Sequence, residues 1–156
     1  MTKEQFVSNI ERIRNQLYKT ALLYFGNETT ALDMVDEAVY KGLCSYHKLR
    51  QDELFDTWMT RILINECHKE FRRKQRFSSM EELPETGEEH FDALPLKEAI
   101  RKLPKDLKAI IILRFFSGYT LSEISQILKI PQGTAATRQR KALKLLRLEL
   151  GEGEQV

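Results

Sequence analysis

The sequence predicts an all-α fold of two small helical domains joined by an acidic linker. Seven Gly and four Pro in 156 residues leave long stretches without a turn former, which favours helices over a many-turned β-sandwich. Apolar residues recur every three or four positions through both halves, the stripe of helices packed on one side. Charge is segregated as well. Residues 1–76 carry 13 Lys/Arg against 11 Asp/Glu, residues 77–95 carry six acids and no base, and residues 96–156 carry 12 bases against six acids. The acidic segment also holds Ser78, Ser79, Pro84, Gly87 and Pro95 and shows no regular period, so it reads as an extended linker. Its 19 residues could span at most about 60 Å. The expected division is therefore 1–76, a linker 77–95, and 96–156.

In the first helix, Phe6, Ile10, Ile13, Leu17 and Ala21 form the inward stripe, and Gly26-Asn27 supplies a left-handed stop. Thr30 and Asp33 stand at capping-box spacing and open a second helix with Leu32, Val35 and Val39 inward. A third starts near Asp52-Glu53, where acids suit the positive end of the helix dipole. It places Leu54, Phe55, Trp58, Ile62 and Phe71 inward and ends in Arg72-Arg73-Lys74. Trp58 is expected in the core, four residues before Ile62. The C-terminal domain opens with a short helix near Leu96–Leu103. Pro104 interrupts it and begins another, which runs to Ser117 and stops at Gly118.

Residues 119–150 are the most informative. Thr120-Leu-Ser-Glu123 is a capping box, and its short helix puts Leu121, Ile124 and Leu128 on one face. After the turn Lys129-Ile130-Pro131, a second helix begins at Gln132-Gly133-Thr134. A capped short helix, a tight turn and a second helix make the helix-turn-helix pattern, in which early residues of the second helix meet base edges in the major groove. Here they are Thr134, Ala136, Thr137, Arg138, Arg140 and Lys141. The small Ala135 and Ala136 allow close approach, and the cations can neutralise phosphates or fork onto guanine. A positive φ at Lys129 would cost about 1 kcal/mol relative to Gly. An amphipathic helix pair with a solvated basic face fits the same spacing.

A second basic region holds Tyr46, His47, Lys48 and Arg50, then Arg61, Asn65, Lys69, Arg72 and Arg73. An aromatic among cations suits single-stranded DNA, whose bases stack on rings while cations follow the phosphates, although Tyr46 could equally cover the core. The longest apolar run, Ile110–Leu113 and then Phe115-Phe116, is far short of a membrane span. Met1-Thr2-Lys3-Glu4 lacks the apolar core of a secretory signal, and two cysteines make no disulfide framework, so a cytoplasmic setting is expected. Cys44, His47, Cys67 and His68 have ligand-like spacing, but nothing brings the two pairs together; two buried thiols and no metal or other cofactor are expected. With no phosphate-cradling glycine loop and no Ser-His-Asp order, no catalytic residue is assigned and an enzyme is not expected.

Several segments together resemble an extracytoplasmic-function (group 4) RNA polymerase sigma factor of the sigma-70 family. Leu103-Pro104 through Ile112-Leu113-Arg114, Gly118-Tyr119-Thr120-Leu121-Ser122-Glu123-Ile124-Ser125, and Gly133-Thr134 with Arg138 and Ala142 are similar to that family's region 4. Ala31-Leu32-Asp33-Met34-Val35-Asp36-Glu37-Ala38-Val39 resembles its region 2.2. Phe55-Asp56-Thr57-Trp58-Met59-Thr60-Arg61-Ile62, with Asn65, Arg72 and Arg73, resembles regions 2.3 to 2.4. The resemblance implies that Asp33, Asp36 and Glu37 contact core RNA polymerase. It also implies that residues 46–53 form the specificity loop for the −10 element and that the helix from Gln132 reads the −35 duplex. Tyr46, His47, Lys48, Arg61, Asn65, Lys69, Arg72 and Arg73 are the expected −10 contacts. It further implies promoter DNA and an anti-sigma factor, often membrane-anchored, as partners, with no small-molecule substrate. For Asp33 dipole compensation remains open, and for the acidic linker a solvated tether and a nucleic-acid mimic both do. The rival functions are a stand-alone helix-turn-helix regulator acting as a dimer on palindromic half-sites, and a helical interaction protein with no DNA role.

Overall fold

The computed structural model describes residues 1–77 and 94–149. Among them every regular element is helical, as expected. The chain forms two compact units, Met1–Glu85 and Thr86–Val156. The expected acidic linker 77–95 lies almost wholly outside the described residues.

The N-terminal unit is three mutually packed helices. Helix α1 spans Lys3–Phe25; Thr2 and Gln5 cap it reciprocally, and Gly26 ends it at φ 65° with its N–H on the Leu22 carbonyl. Phe6, Ile10, Ile13, Leu17 and Ala21 are all buried as the spacing predicts, and Thr20 and Tyr24 join them. Helix α2 spans Glu28–Ser45, three residues earlier than a Thr30 cap would allow. Asn27 is the cap: its Oδ1 accepts from the Thr30 N–H at 2.9 Å. Asn competes well for this role, and Thr30 is instead buried, its hydroxyl accepting from Lys74 Nζ.

The inward face of α2 is Ala31, Met34, Val35, Ala38 and Gly42. Leu32, expected inward, is 49% exposed, and Val39 is only half-buried. Small residues won because the helices come close: a Cβ on Gly42 would lie 2.8 Å from Met59 Sδ and 3.2 Å from the Phe6 ring.

A 3-10 turn at Asp52–Leu54 leads into α3, Phe55–Phe77. Its buried face is Phe55, Met59, Leu63, Ile64 and Cys67. This corrects most of the expected face, since Leu54 is exposed and Trp58, Ile62 and Phe71 are half-buried. Helix α3 carries two adjacent apolar stripes, and periodicity cannot choose between them. The choice follows the edge-on contact of Phe55 with Phe6, ring centroids 5.8 Å apart. Cys67 is buried and Cys44 exposed, so only one of the two expected buried thiols is buried.

In the C-terminal unit, α4 is Leu94–Lys102 and α5 is Lys105–Ile111, starting behind Pro104. A π-helical turn, Ile112–Phe116, prolongs α5, with the Ser117 N–H on the Ile112 carbonyl at 3.0 Å. Ile110, Ile111, Ile112 and Leu113 are all buried because α4, α6 and α7 surround this segment. Gly118, at φ 78°, makes the stop.

Helix α6 is Leu121–Leu128, and its capping box is complete: the Glu123 N–H donates to Thr120 Oγ1 and the Thr120 N–H to Glu123 Oε1. Ile124 and Ile127 are its buried residues; Leu121 and Leu128 are half-buried, so the core face sits one position from the expected one. Lys129 adopts φ 56°, ψ 49°, the left-handed conformation the turn demands. Helix α7, Gln132–Glu149, packs on α4, α5 and α6. Ala135 is fully buried with Ala142 and Leu146. Its missing bulk therefore serves helix packing, not the approach to DNA that the sequence suggested.

Candidate nucleic-acid interface

Burial of Ala135, Ala142 and Leu146 fixes the rotation of α7. Thr137, Arg140 and Lys141 are exposed, and Thr134, Ala136 and Arg138 are half-buried on the flanks. An open groove of about 700 Å³ runs between the starts of α5 and α7. Thr134, Thr137, Arg138 and Lys141 line it, facing Pro104 and Asp106. Ala136 and Arg140 are absent from that lining, although Arg140 Nη2 donates to Thr137 Oγ1 at 3.2 Å. Lys144 is exposed one turn beyond Arg140 and Lys141. The sequence reading missed it, though i+3 and i+4 spacing was there to find it. Cations on this exposed face can track phosphates, while Thr134 and Thr137 hydroxyls can bond base edges.

In the N-terminal unit, the stripe left outside by the core is Trp58, Arg61, Ile62, Asn65, Lys69 and Arg72. The first three are half-buried and the last three exposed. Trp58, expected in the core, instead flanks it against Phe55, with ring centroids 5.8 Å apart. An indole edged by cations is a stacking platform for an unpaired base, and the 58-61-62-65-69-72 spacing was its signal. Arg61 keeps Nε buried without a hydrogen-bond partner among the described residues.

Arg73 stands apart. Its guanidinium grips Glu70 at 2.7 and 2.8 Å, and that hydrogen bond, the largest influence, holds the Glu70 carboxyl below the usual range. Tyr46, His47 and Lys48 form the 3-10 turn after α2. The Tyr46 ring stacks on Phe6 at 5.3 Å, so part of it covers the core, while His47 and Lys48 are exposed.

Asp33, Asp36 and Glu37 are all exposed on the outer face of α2. Arg14 Nη2 reaches Asp36 Oδ1 at 3.4 Å, an open ion pair that a partner could displace at little cost. Leu32 and Tyr40, 49% and 64% exposed, lie on the same face and were missed. Acids framed by exposed apolar side chains suit a protein partner better than a nucleic acid. Among the described residues no three His, Cys, Asp or Glu side chains come together as metal ligands, and no helix is long and apolar enough to cross a membrane.

Two family models match the chain: Sigma-70 region 2 over residues 10–77, and Sigma-70, region 4 over residues 99–148. RNA polymerase sigma factor SigV of Bacillus subtilis is 34% identical over 154 residues, 96% of this chain and 93% of that protein. The ECF RNA polymerase sigma factor SigW of the same organism is 23% identical, over 95% and 90% of the two chains. Among solved structures, the fold is similar to sigma factor RpoE of Bartonella quintana, in complex with the anti-sigma factor NepR. There the TM-score is 0.80, with 20% identity over 97% of this chain and 99% of that one. It is similar as well to CnrH in complex with the cytosolic domain of CnrY, at TM-score 0.76 and 19% identity over 98% and 92%.

Proposed function

The chain belongs to the sigma-70 family, in its extracytoplasmic-function group, and from that premise we propose which surface does which part of a sigma factor's work. An alternative sigma factor binds core RNA polymerase and directs it to particular promoters. The acidic face of α2, with Asp33, Asp36 and Glu37 between Leu32 and Tyr40, binds core polymerase. The outer stripe of α3, with the turn at Tyr46–Lys48, holds the melted −10 strand. The exposed face of α7, from Thr134 to Lys144, reads the −35 duplex. Residues 1–76 and 96–156 are then the two working domains and 77–95 their tether.

One observation carries the assignment: each unit turns one cation-rich helix face outward that its own core has no use for. Protein burial leaves Trp58 beside Arg61, Asn65, Lys69 and Arg72 on α3, where unstacked bases could be held. Held bases stabilise a melted segment without ATP, because unstacking costs only a few kcal/mol. On α7 the surface is cationic and aliphatic with no ring, which suits phosphates and groove edges. The relatives are sigma factors, regulators and not catalysts, and we assign this chain no catalysis of its own. It acts where polymerase and promoter meet, in the cytoplasm. Because RpoE was captured with the anti-sigma factor NepR and CnrH with the cytosolic domain of CnrY, an anti-sigma factor, in some cases membrane-anchored, is the natural regulator of these faces. The dimeric stand-alone regulator is not favoured, since both ends of the chain match sigma-factor modules.

The test mixes purified protein with sigma-free core polymerase and a promoter library and maps the transcripts. Specific initiation that needs both components is the expected result. Tight binding to palindromic DNA without polymerase would overturn it in favour of the regulator, and no DNA dependence would leave only an interaction protein.

A further inference from the structure

Where α2 meets α3, Lys41 and Lys69 share one oxygen of Glu66. Lys41 Nζ lies 2.5 Å from Glu66 Oε2 and Lys69 Nζ lies 3.9 Å from the same atom. The Glu66 side chain is 8% exposed, whereas the two lysines keep 41% and 62% of their surface in water. A carboxylate so buried requires a cation, and Lys41 supplies it through the short hydrogen bond. One carboxylate cannot neutralise two ammoniums. The protonation equilibria carry the same signature: the bond to Glu66 raises Lys41, while the neighbouring Lys41 ammonium lowers Lys69. Glu37, one turn before Lys41, adds a more distant negative field at both, but in the assignment above its carboxylate is engaged by polymerase. With polymerase bound, the cluster is left one positive charge in excess, open to solvent.

We infer that Lys41 and Lys69 form a seat for a backbone phosphate, extending the strand-holding surface of α3 across onto α2, with buried Glu66 as the residue that positions both ammoniums. Lys69 continues the stripe of Asn65 and Arg72, so a strand lying along that stripe brings a phosphate to the pair. Two ammoniums side by side match a phosphate's oxygens as point charges. A protein partner is the weaker match. The acids of α2 call for a basic surface on polymerase, and such a surface would repel this pair.

The inference rests on the single-strand reading of α3, and the test separates the two. The probe is a non-template-strand −10 oligonucleotide, titrated with the full-length chain in complex with core polymerase at several salt concentrations. Lys41→Met should lower affinity for every base sequence alike and reduce the slope of log affinity against log salt by about 0.7, the value of one single-strand phosphate contact. Lys41→Arg should restore the slope. Lys41→Met with Glu66→Gln, which avoids an orphaned buried carboxylate, should show the same reduced slope in a protein whose unfolding midpoint is near the parent's. If the parent complex ignores the oligonucleotide, the strand reading itself falls and takes this inference with it. If the parent binds but both Met variants keep its slope, the phosphate seat alone is overturned. Loss of core-polymerase affinity in the Met variants would overturn it too, by placing the pair against protein.

Discussion

Helices α3 and α7 are both basic, yet they handle their charge in opposite ways. Along α3, Phe55–Phe77, six Lys/Arg share the helix with Asp56, Glu66 and Glu70. Each of these acids is in an ion pair: Arg12–Asp56, Lys41–Glu66 and Arg73–Glu70. Helix α7 carries five Lys/Arg and a single acid, Glu149, at its last position. Arg140 bonds to a hydroxyl, and among the described residues no α7 cation forms an ion pair. The contrast fits what each surface must do under the assignment proposed above. A duplex offers a regular array of phosphates, so unpaired and adaptable cations suffice and their strength falls with salt. A single strand has no shape of its own, so the proposed binder supplies geometry: an indole against Phe55, Lys41 and Lys69 held by Glu66, and a packed core beneath.

If that is right, the strand-holding surface depends on its core far more than the duplex reader does. The sharpest break is Phe6→Ala. Phe6 is buried against Tyr46 and Phe55, beside Gly42, and its loss should cost the N-terminal unit about 3–5 kcal/mol. Amide exchange of the two units should show protection falling in α1–α3 and unchanged in α5–α7; equal loss in both would join what the comparison separates. Next is Arg138→Ala, in the groove beside Thr134 and Thr137. It should weaken −35 duplex binding by about 1–3 kcal/mol and leave core-polymerase affinity intact, as measured by titration of each; unchanged promoter affinity would remove Arg138 from the reading surface.

Smaller in size, Lys129→Gly relieves a left-handed backbone at φ 56°. It should stabilise the C-terminal unit by about 1 kcal/mol, seen as a rise in its thermal midpoint; no rise would mean that the turn is relaxed with lysine in place. The finest probe is pH. Glu70 has a folded carboxyl lowered chiefly by Arg73, so its pairing is fully present above the unfolded carboxylate value and is lost as pH falls through the folded one. Stability of the N-terminal unit should decline over that acid window, and Glu70→Gln should flatten the decline by a small amount, since Arg73 is half-exposed. An identical pH curve in the variant would show that Arg73 is not held by Glu70 in solution.

Legibility differed in the same way between the two units. In the C-terminal half, Pro104, Gly118, the Thr120–Glu123 box and the turn at Lys129 marked the breaks between α4, α5, α6 and α7, although α4 begins at Leu94 and not near Leu96; of the residues expected to meet DNA, Thr137, Arg140 and Lys141 are exposed. In the N-terminal half the charged residues were legible, but Trp58, Ile62, Leu32 and Tyr40 were either placed inside or passed over. Each lies next to a stripe of similar hydrophobicity, so the composition of the helix offered no preference.

What the chain decided alone is therefore local. Caps, glycine stops and proline starts are hydrogen bonds and backbone preferences settled within four or five residues, and the segregation of charge is simply where the side chains fall. What only tertiary packing decided is rotation. Whether α3 buried Met59 and Leu63 or Trp58 and Ile62 depended on which face let Phe55 meet Phe6 and let Gly42 approach Met59. Close packing of three helices rewards one rotation by the sum of many weak contacts, none of which any one helix can encode by itself.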